Sequence, residues 1–89
     1  MEKPYTNLKE EHGVLIREFS QTIDPIELKC HRDDEAREII SENKTDWMIQ
    51  LDNALPVSLN NTIRIPRHEW HRLIKGTGTL TLKIKKEPV

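Results

Sequence analysis

Hydrophobic and polar residues alternate along much of the second half of the chain. Three runs carry this pattern: Trp47-Met48-Ile49-Gln50-Leu51, Ile63-Arg64-Ile65 and Leu80-Thr81-Leu82-Lys83-Ile84. Side chains two residues apart on a β-strand point to the same face, so each run predicts a half-buried strand. The shorter apolar run from Val14 to Phe19 predicts a further strand, either buried or at an edge.

The segments between these runs are rich in residues that favour turns. Asn, Asp, Gly or Pro residues occur in 42–46, 52–56, 60–61 and 75–78. The Asn60-Asn61 pair, between Leu59 and Thr62, predicts a tight hairpin. Seven or eight short strands at this spacing predict an all-β fold, namely a small antiparallel β-barrel or jelly roll.

The length of 89 residues predicts a single domain with a thin core. Residues 1–13 are polar, and we expect a lead-in segment there, with one helical turn at most, before a single barrel domain over 14–89. An edge strand must be paired, covered or charged, and Val14, Leu15 and Ile16 carry no charge. We therefore expect a homodimer.

Composition narrows the range of partners and locations. The net charge is −1 with acids and bases interspersed, which provides no basic stripe for nucleic acid. Cys30 is the single cysteine, and the chain has no apolar run long enough for a membrane span or a signal peptide. We expect a cytoplasmic protein that binds neither nucleic acid nor membrane and takes a small-molecule ligand.

Candidate chemistry lies in two distant segments, 27–38 and 65–71. His31 and Asp33 are two residues apart, so on a strand both can reach one ion. If a turn follows, Glu38 lies early on the next strand and can point to the same place, and a shorter turn gives that position to Glu35. His71 has the parity of the apolar residue at 73, so the two face the core together.

Two imidazoles with one or two carboxylates form a mixed nitrogen and oxygen site. Such a site suits Fe, Mn, Ni or Zn as divalent ions more than calcium. His31, Asp33 and His71 also have the composition of the two-histidine, one-carboxylate triad of non-haem iron proteins. On spacing alone, however, a solvated polar turn is the simpler interpretation of these residues.

Both segments resemble the sequence motifs of the cupin superfamily. The first segment reads His31-x-Asp33-x4-Glu38-x6-Thr45, and the cupin motif reads H-x-H, three or four residues, E, six residues and G. The second reads Asn60-x5-Pro66-x-His68-x2-His71, and the cupin motif reads G, five residues, P-x-G, two residues and H. Substitutions relative to these motifs are Asp33 for histidine, Thr45, Asn60 and His68 for glycine, and Lys75 for a closing asparagine.

The resemblance implies a double-stranded β-helix barrel and a divalent transition metal held by the positions that match the cupin ligands. These positions are His31, Asp33, Glu38 and His71. It implies a possible metal-dependent enzyme acting on a small acid or a sugar-like substrate, although the fold alone does not choose a reaction and no catalytic residue is assigned. The alternative is a metal-free module, ligand-binding or structural, in which these residues form a polar network.

Neighbouring residues carry further expectations. Arg32 and Arg37 are predicted to form surface ion pairs, and the alternative is that one of them binds an anionic substrate group at the barrel mouth. Cys30 is expected to be a buried structural cysteine on the face opposite His31. If His31 and Asp33 face inward on a strand, strict alternation turns the apolar Leu28 outward. Either a bulge therefore intervenes near residue 30, or another strand or subunit covers the outer face.

Overall fold

The computed structural model of the protein describes residues 3–88. Within this range eight strands form two antiparallel sheets. The strands are β1 (Thr6–Glu11), β2 (Val14–Phe19), β3 (Arg37–Ser41), β4 (Met48–Leu51), β5 (Val57–Ser58), β6 (Ile63–Ile65), β7 (His71–Ile74) and β8 (Leu80–Lys86). The larger sheet has the order β1-β2-β8-β3-β6, and the smaller one has the order β5-β4-β7. The predicted all-β antiparallel fold is confirmed, while the predicted outer limits, residues 1 and 89, lie outside the described range.

Alternate side chains of the strands build one core from both sheets. Trp47, Ile49 and Leu82 are buried, as the period-two pattern predicts. The indole Nε1 of Trp47 donates a hydrogen bond to the backbone oxygen of Gly78 at 3.1 Å, so the polar atom of this buried ring has a partner. The buried hydrophobic cluster comprises Leu15, Phe19, Leu28, Ile39, Trp47, Ile49, Leu59, Ile65, Leu80, Leu82 and Ile84.

The N-terminal region differs from the predicted lead-in. Thr6–Glu11 form β1, which pairs with β2 through a turn in which His12 and Gly13 have φ of 51° and 79°. Positive φ at both central residues matches the right-handed twist of a hairpin. All six β1 residues are exposed, so hydrophobic alternation does not reveal this strand. Because β2 lies between β1 and β8, its uncharged residues are not at an edge, and the homodimer stays a prediction without that support.

The predicted hairpin at Asn60-Asn61 is wrong. β5 pairs with β4 in the smaller sheet and β6 pairs with β3 in the larger one, so this segment connects the two sheets. The Asn60 side chain accepts a hydrogen bond from the backbone nitrogen of Thr45 at 2.9 Å and donates one to its backbone oxygen at 2.8 Å. Two residues that replace motif glycines thus bind each other and hold their loops together.

The segment before β3 is irregular where a strand was predicted. A short 3-10 helix spans Pro25–Glu27, and the Asp24 side chain caps it by accepting from the Ile26 nitrogen at 3.1 Å. The chain then continues without a regular strand, so parity does not run through it, and Leu28 is buried. Cys30 is exposed, which corrects the prediction of a buried cysteine. Within residues 3–88, no helix has the length and apolar character required to cross a membrane.

Candidate functional site

A single antiparallel bridge brings the two distant histidines together. The backbone nitrogen of His31 donates to the backbone oxygen of His71 at 2.9 Å, and the backbone nitrogen of His71 donates to the backbone oxygen of His31 at 2.8 Å. Residues paired in this way present their side chains on the same side of the ladder. The imidazole centroids lie 4.3 Å apart with an interplanar angle of 62°. The two segments therefore lie side by side at this point, although His31 lies outside any regular strand.

The backbone also sets which ring nitrogen of each histidine is free. Nδ1 of His31 lies 3.2 Å from the Lys29 backbone oxygen, and Nδ1 of His71 lies 2.9 Å from the Glu69 backbone oxygen. A carbonyl oxygen can only accept, so each Nδ1 carries the proton and each neutral ring keeps a lone pair on Nε2. A backbone partner on the opposite ring nitrogen is the arrangement that orients histidine ligands in metal sites.

Asp33 places a carboxylate oxygen beside both free nitrogens. Its Oδ2 lies 3.3 Å from Nε2 of His71 and 3.9 Å from Nε2 of His31. This oxygen is buried and has no hydrogen-bond partner among the described residues. A buried, unpaired carboxylate oxygen is costly in free energy. The Asp33 backbone oxygen accepts a hydrogen bond from the backbone nitrogen of His68 at 2.9 Å, which holds the loop of Asp33 against the loop before β7.

The protonation state of Asp33 follows from competing effects. Burial raises the pKa of its carboxyl group, but the close imidazole of His71 and the positive charge of Arg37 lower it more. The net result is a pKa below the ordinary value, so Asp33 is a carboxylate at neutral pH. It therefore has the negative charge that a metal ligand requires.

The three donor atoms are close enough to share one ion. One ligand atom each from His31, Asp33 and His71 lies within 4.8 Å of the others. Ligand atoms around a zinc-sized ion lie roughly 3–3.5 Å apart when each is about 2.0–2.2 Å from it. The donor atoms that lie farthest apart would therefore have to approach each other by about 1–2 Å to coordinate one ion. His71 is buried and His31 is exposed, so the group spans from the core to the surface.

Sequence reasoning did not place Arg37 beside the donor group: it predicted a surface ion pair for this residue or, as the alternative, a contact with a substrate anion at the barrel mouth. Its side chain is 14% exposed, and its Nε and Nη2 donate to Oε1 of Glu35 at 3.0 and 2.7 Å. Nη2 also lies 3.5 Å from Oδ1 of Asp33. Parity with the buried Ile39 could have revealed this inward position, since the two are two residues apart on β3. The ion pair predicted for Arg37 exists, with Glu35 as its partner, but both side chains are largely buried instead of lying at the surface.

The structure does not bring Glu38 to the three donors. Arg37 and Ile39 face inward on β3, so Glu38 projects from the opposite face, where its neighbours across the sheet are Arg64 and Lys85. The cupin motif permits three or four residues before its glutamate, and with three the matching position is Arg37. Glu35, the alternative donor, binds Arg37 instead.

The other neighbouring residues lie away from the donors. The guanidinium carbon of Arg32 lies 5.1 Å from the ring centroid of Trp70, which is 43% exposed. Trp70 borders a separate surface depression together with Cys30. These residues therefore contribute to a surface on the outside of the smaller sheet.

A cavity of about 340 Å³ opens beside the donor group. Asp33 and His31 border it, and beneath it a gap of about 40 Å³ reaches His71 and the core. Residues that line both spaces are Arg17, Phe19, His31, Arg37 and Leu73. A small molecule in the outer cavity would therefore contact His31 and Asp33 directly.

Comparison with known proteins gives a structural match without a sequence match. No model of a protein family matches the chain, and no curated protein sequence matches it significantly. The structure is similar to the crystal structure of a cupin domain from Bordetella pertussis Tohama I, with a TM-score of 0.54 and 11% sequence identity. The alignment covers 99% of this chain and 99% of the other. The two chains share their fold over almost their whole length.

Proposed function

The chain has the cupin fold, and on this barrel we propose that His31, Asp33 and His71 bind one divalent transition metal ion. The observation that carries the proposal is the buried Oδ2 of Asp33, which has no hydrogen-bond partner in residues 3–88 and lies beside both free Nε2 atoms. A cation at this point would accept a lone pair from each donor and would remove the cost of the unpaired oxygen.

The donor set narrows the choice of ion. Two imidazole nitrogens and one carboxylate oxygen suit Fe, Mn, Ni or Zn in the divalent state. With three protein ligands, such an ion keeps positions for water or substrate and supplies Lewis-acid or redox chemistry when bound. His71 anchors the site from the core, and Arg37 orients the carboxylate of Asp33 from its other oxygen.

We further propose that the protein is a metal-dependent enzyme for a small acid or a sugar-like substrate. The cavity of about 340 Å³ is at the small end of the range for ligand pockets. It borders two of the three donors, which is the placement that a substrate of a metal centre needs. Arg37 and Glu35 lie at the same mouth and would keep the site polar there.

A metal-free polar network is the second candidate, and one observation favours it. Arg37, with Nη2 at 3.5 Å from Oδ1, already offsets part of the negative charge of Asp33. Under this alternative the barrel binds its small ligand without an ion, and the donor group only shapes the cavity wall.

Elemental analysis distinguishes the two candidates. Protein prepared without a histidine tag is stripped with a chelator, reconstituted in turn with Fe, Mn, Ni and Zn, and desalted. We expect about one equivalent of the preferred metal for the full chain and a loss of most of it in His71→Ala, because one of three ligands is gone. His12→Asn is the matched control, since it removes an exposed imidazole in the β1–β2 turn. Uptake below about 0.1 equivalent, or equal uptake in His71→Ala, would contradict the proposal.

A further inference from the structure

Arg17 is a cation of the cavity wall that has no anionic partner. It lies on β2, and its guanidinium carbon is 3.7 Å from the ring centroid of Tyr5. Its Nε donates to the side-chain oxygen of Asn7 at 2.9 Å. Within residues 3–88 these contacts leave its terminal amino groups without a hydrogen bond and form no ion pair with a carboxylate. The side chain is thus held in place with free donors.

Arg37, which lines the same cavity from β3 of the same sheet, is the contrasting case. Glu35 and Asp33 both contact its guanidinium, so its charge is already compensated inside the protein. Burial lowers the pKa of Arg17; Arg37 adds to this lowering, while Tyr5, Asp33 and Glu10 oppose it without reversing it. An anion from solution would therefore gain more binding free energy at Arg17 than at Arg37. It would also reduce the repulsion between the two guanidinium groups.

The remaining cavity wall is mainly apolar. Its apolar part consists of Pro4, Tyr5, Phe19, Leu28 and Leu73, and the charged or polar residues besides the two arginines are Glu27, Lys29, His31 and Asp33. Against the apolar part of the wall, the hydroxyl groups of a neutral sugar would lack partners, at a cost in free energy. A molecule with an apolar body and one anionic group matches both the wall and the unpaired guanidinium.

We propose that the cavity binds a small monocarboxylic acid with an apolar body, whose carboxylate is held by Arg17. The planar guanidinium offers two parallel N–H donors that fit the two oxygens of a carboxylate. The proposal rests on the proposed function in one respect, because it treats this cavity as the substrate site of the His31, Asp33 and His71 group. It narrows the substrate from a small acid or a sugar to an acid.

The test compares two molecules of nearly the same shape that differ in charge. Benzoate, benzamide and glucose are titrated by calorimetry into the full chain after metal removal, so that an ion cannot bind the carboxylate. We expect benzoate to bind at least about tenfold more tightly than benzamide, because a charge-assisted bidentate contact is stronger than a neutral one. Equal binding of the two, or tighter binding of glucose, would overturn the proposal.

Variants assign the preference to a residue. Arg17→Gln should lose the preference for benzoate, and Arg17→Lys should keep part of it because the charge stays. Arg72→Gln is the control and should keep all of it, since Arg72 is exposed and contacts Gln50 on the outside of the smaller sheet. A preference that survives in folded Arg17→Gln would overturn the assignment. If Arg17→Gln does not fold, an unchanged preference in Arg17→Lys would do the same.

Metal uptake and the preference for benzoate are separate measurements, so the two proposals can fail independently. A chain that takes up no metal but prefers benzoate through Arg17 would refute the proposed metal centre and support this inference. A chain that takes up metal at His31, Asp33 and His71 but shows no preference for benzoate would refute this inference alone.

Discussion

The two histidines of the candidate site lie in different structural settings. His71 belongs to β7, whose strand pairing with β4 runs over four residues, and it is 5% exposed. His31 lies in an irregular segment, reaches the barrel through its bridge to His71, and has a side chain that is 53% exposed. One half of the site is therefore part of the core and the other half is attached to it. From this difference we expect that the donor group can be altered on the His31 side with little effect on folding.

The core side of this comparison should be the most sensitive to truncation. Leu82 is 3% exposed at the centre of β8, so Leu82→Ala removes buried methyl groups and leaves a cavity. We expect a loss of roughly 2–5 kcal/mol in the free energy of unfolding, measured by urea titration. Leu55→Ala is the control, because Leu55 is 83% exposed. An equal loss in both variants would show that the core is not where the structure has it.

The histidines themselves give the second test, made on metal-free protein. His71→Ala should cost about 1–3 kcal/mol of unfolding free energy, because it opens a space in the core beside the buried carboxylate of Asp33. His31→Ala should change it by about 0.5 kcal/mol or less, since its ring is half in solvent. Both variants should lose metal uptake. Equal costs in stability would remove the distinction between the two halves.

The smallest effect concerns a turn far from the site. Asp46 accepts hydrogen bonds from the backbone nitrogen and the hydroxyl of Thr77 at 2.7 and 3.0 Å, which lowers its pKa. A lowered pKa in the folded state means that the unfolded chain binds the proton more readily. The contribution of Asp46 to stability is therefore present above about pH 4 and is lost as the pH falls through the folded pKa.

Urea midpoints between neutral and acid pH measure this contribution. Asp46→Asn should show a smaller decrease in midpoint on acidification than the unaltered chain, because the titrating group is gone. The same decrease in both proteins would mean that other carboxylates account for the acid sensitivity.

Local pattern was sufficient to predict β2, β4, β6 and β8, but not the other strands or the pairing partners. Leu80, Leu82 and Ile84 are buried as the alternation predicts, because a strand with one buried face has an apolar residue at every second position. β1 has no buried face, so nothing in its sequence distinguishes it from a polar lead-in. Asn60-Asn61 has the composition of a hairpin, yet its flanking strands pair in different sheets, which only distant contacts decide.

The candidate site was predictable to a similar extent. His31, Asp33 and His71 come together as the motif spacing indicates. Glu38 does not join them, because the length of the irregular segment before β3 sets which residue faces inward, and that residue is Arg37. Arg17 was not predicted, although it has the parity of the buried Leu15 and Phe19 on β2; that parity indicates an inward position but not which cavity the residue lines.

X-ray absorption at the metal edge of the reconstituted, tag-free protein measures the ligand set of the proposed metal centre. A centre held by His31, Asp33 and His71 should give a first shell of two imidazole nitrogens and a carboxylate oxygen at about 2.0–2.2 Å, with solvent in the remaining positions, and loss of one imidazole in His31→Ala. A first shell that contains sulfur from Cys30 at about 2.3 Å, or a spectrum that His31→Ala and His71→Ala leave unchanged, would contradict it.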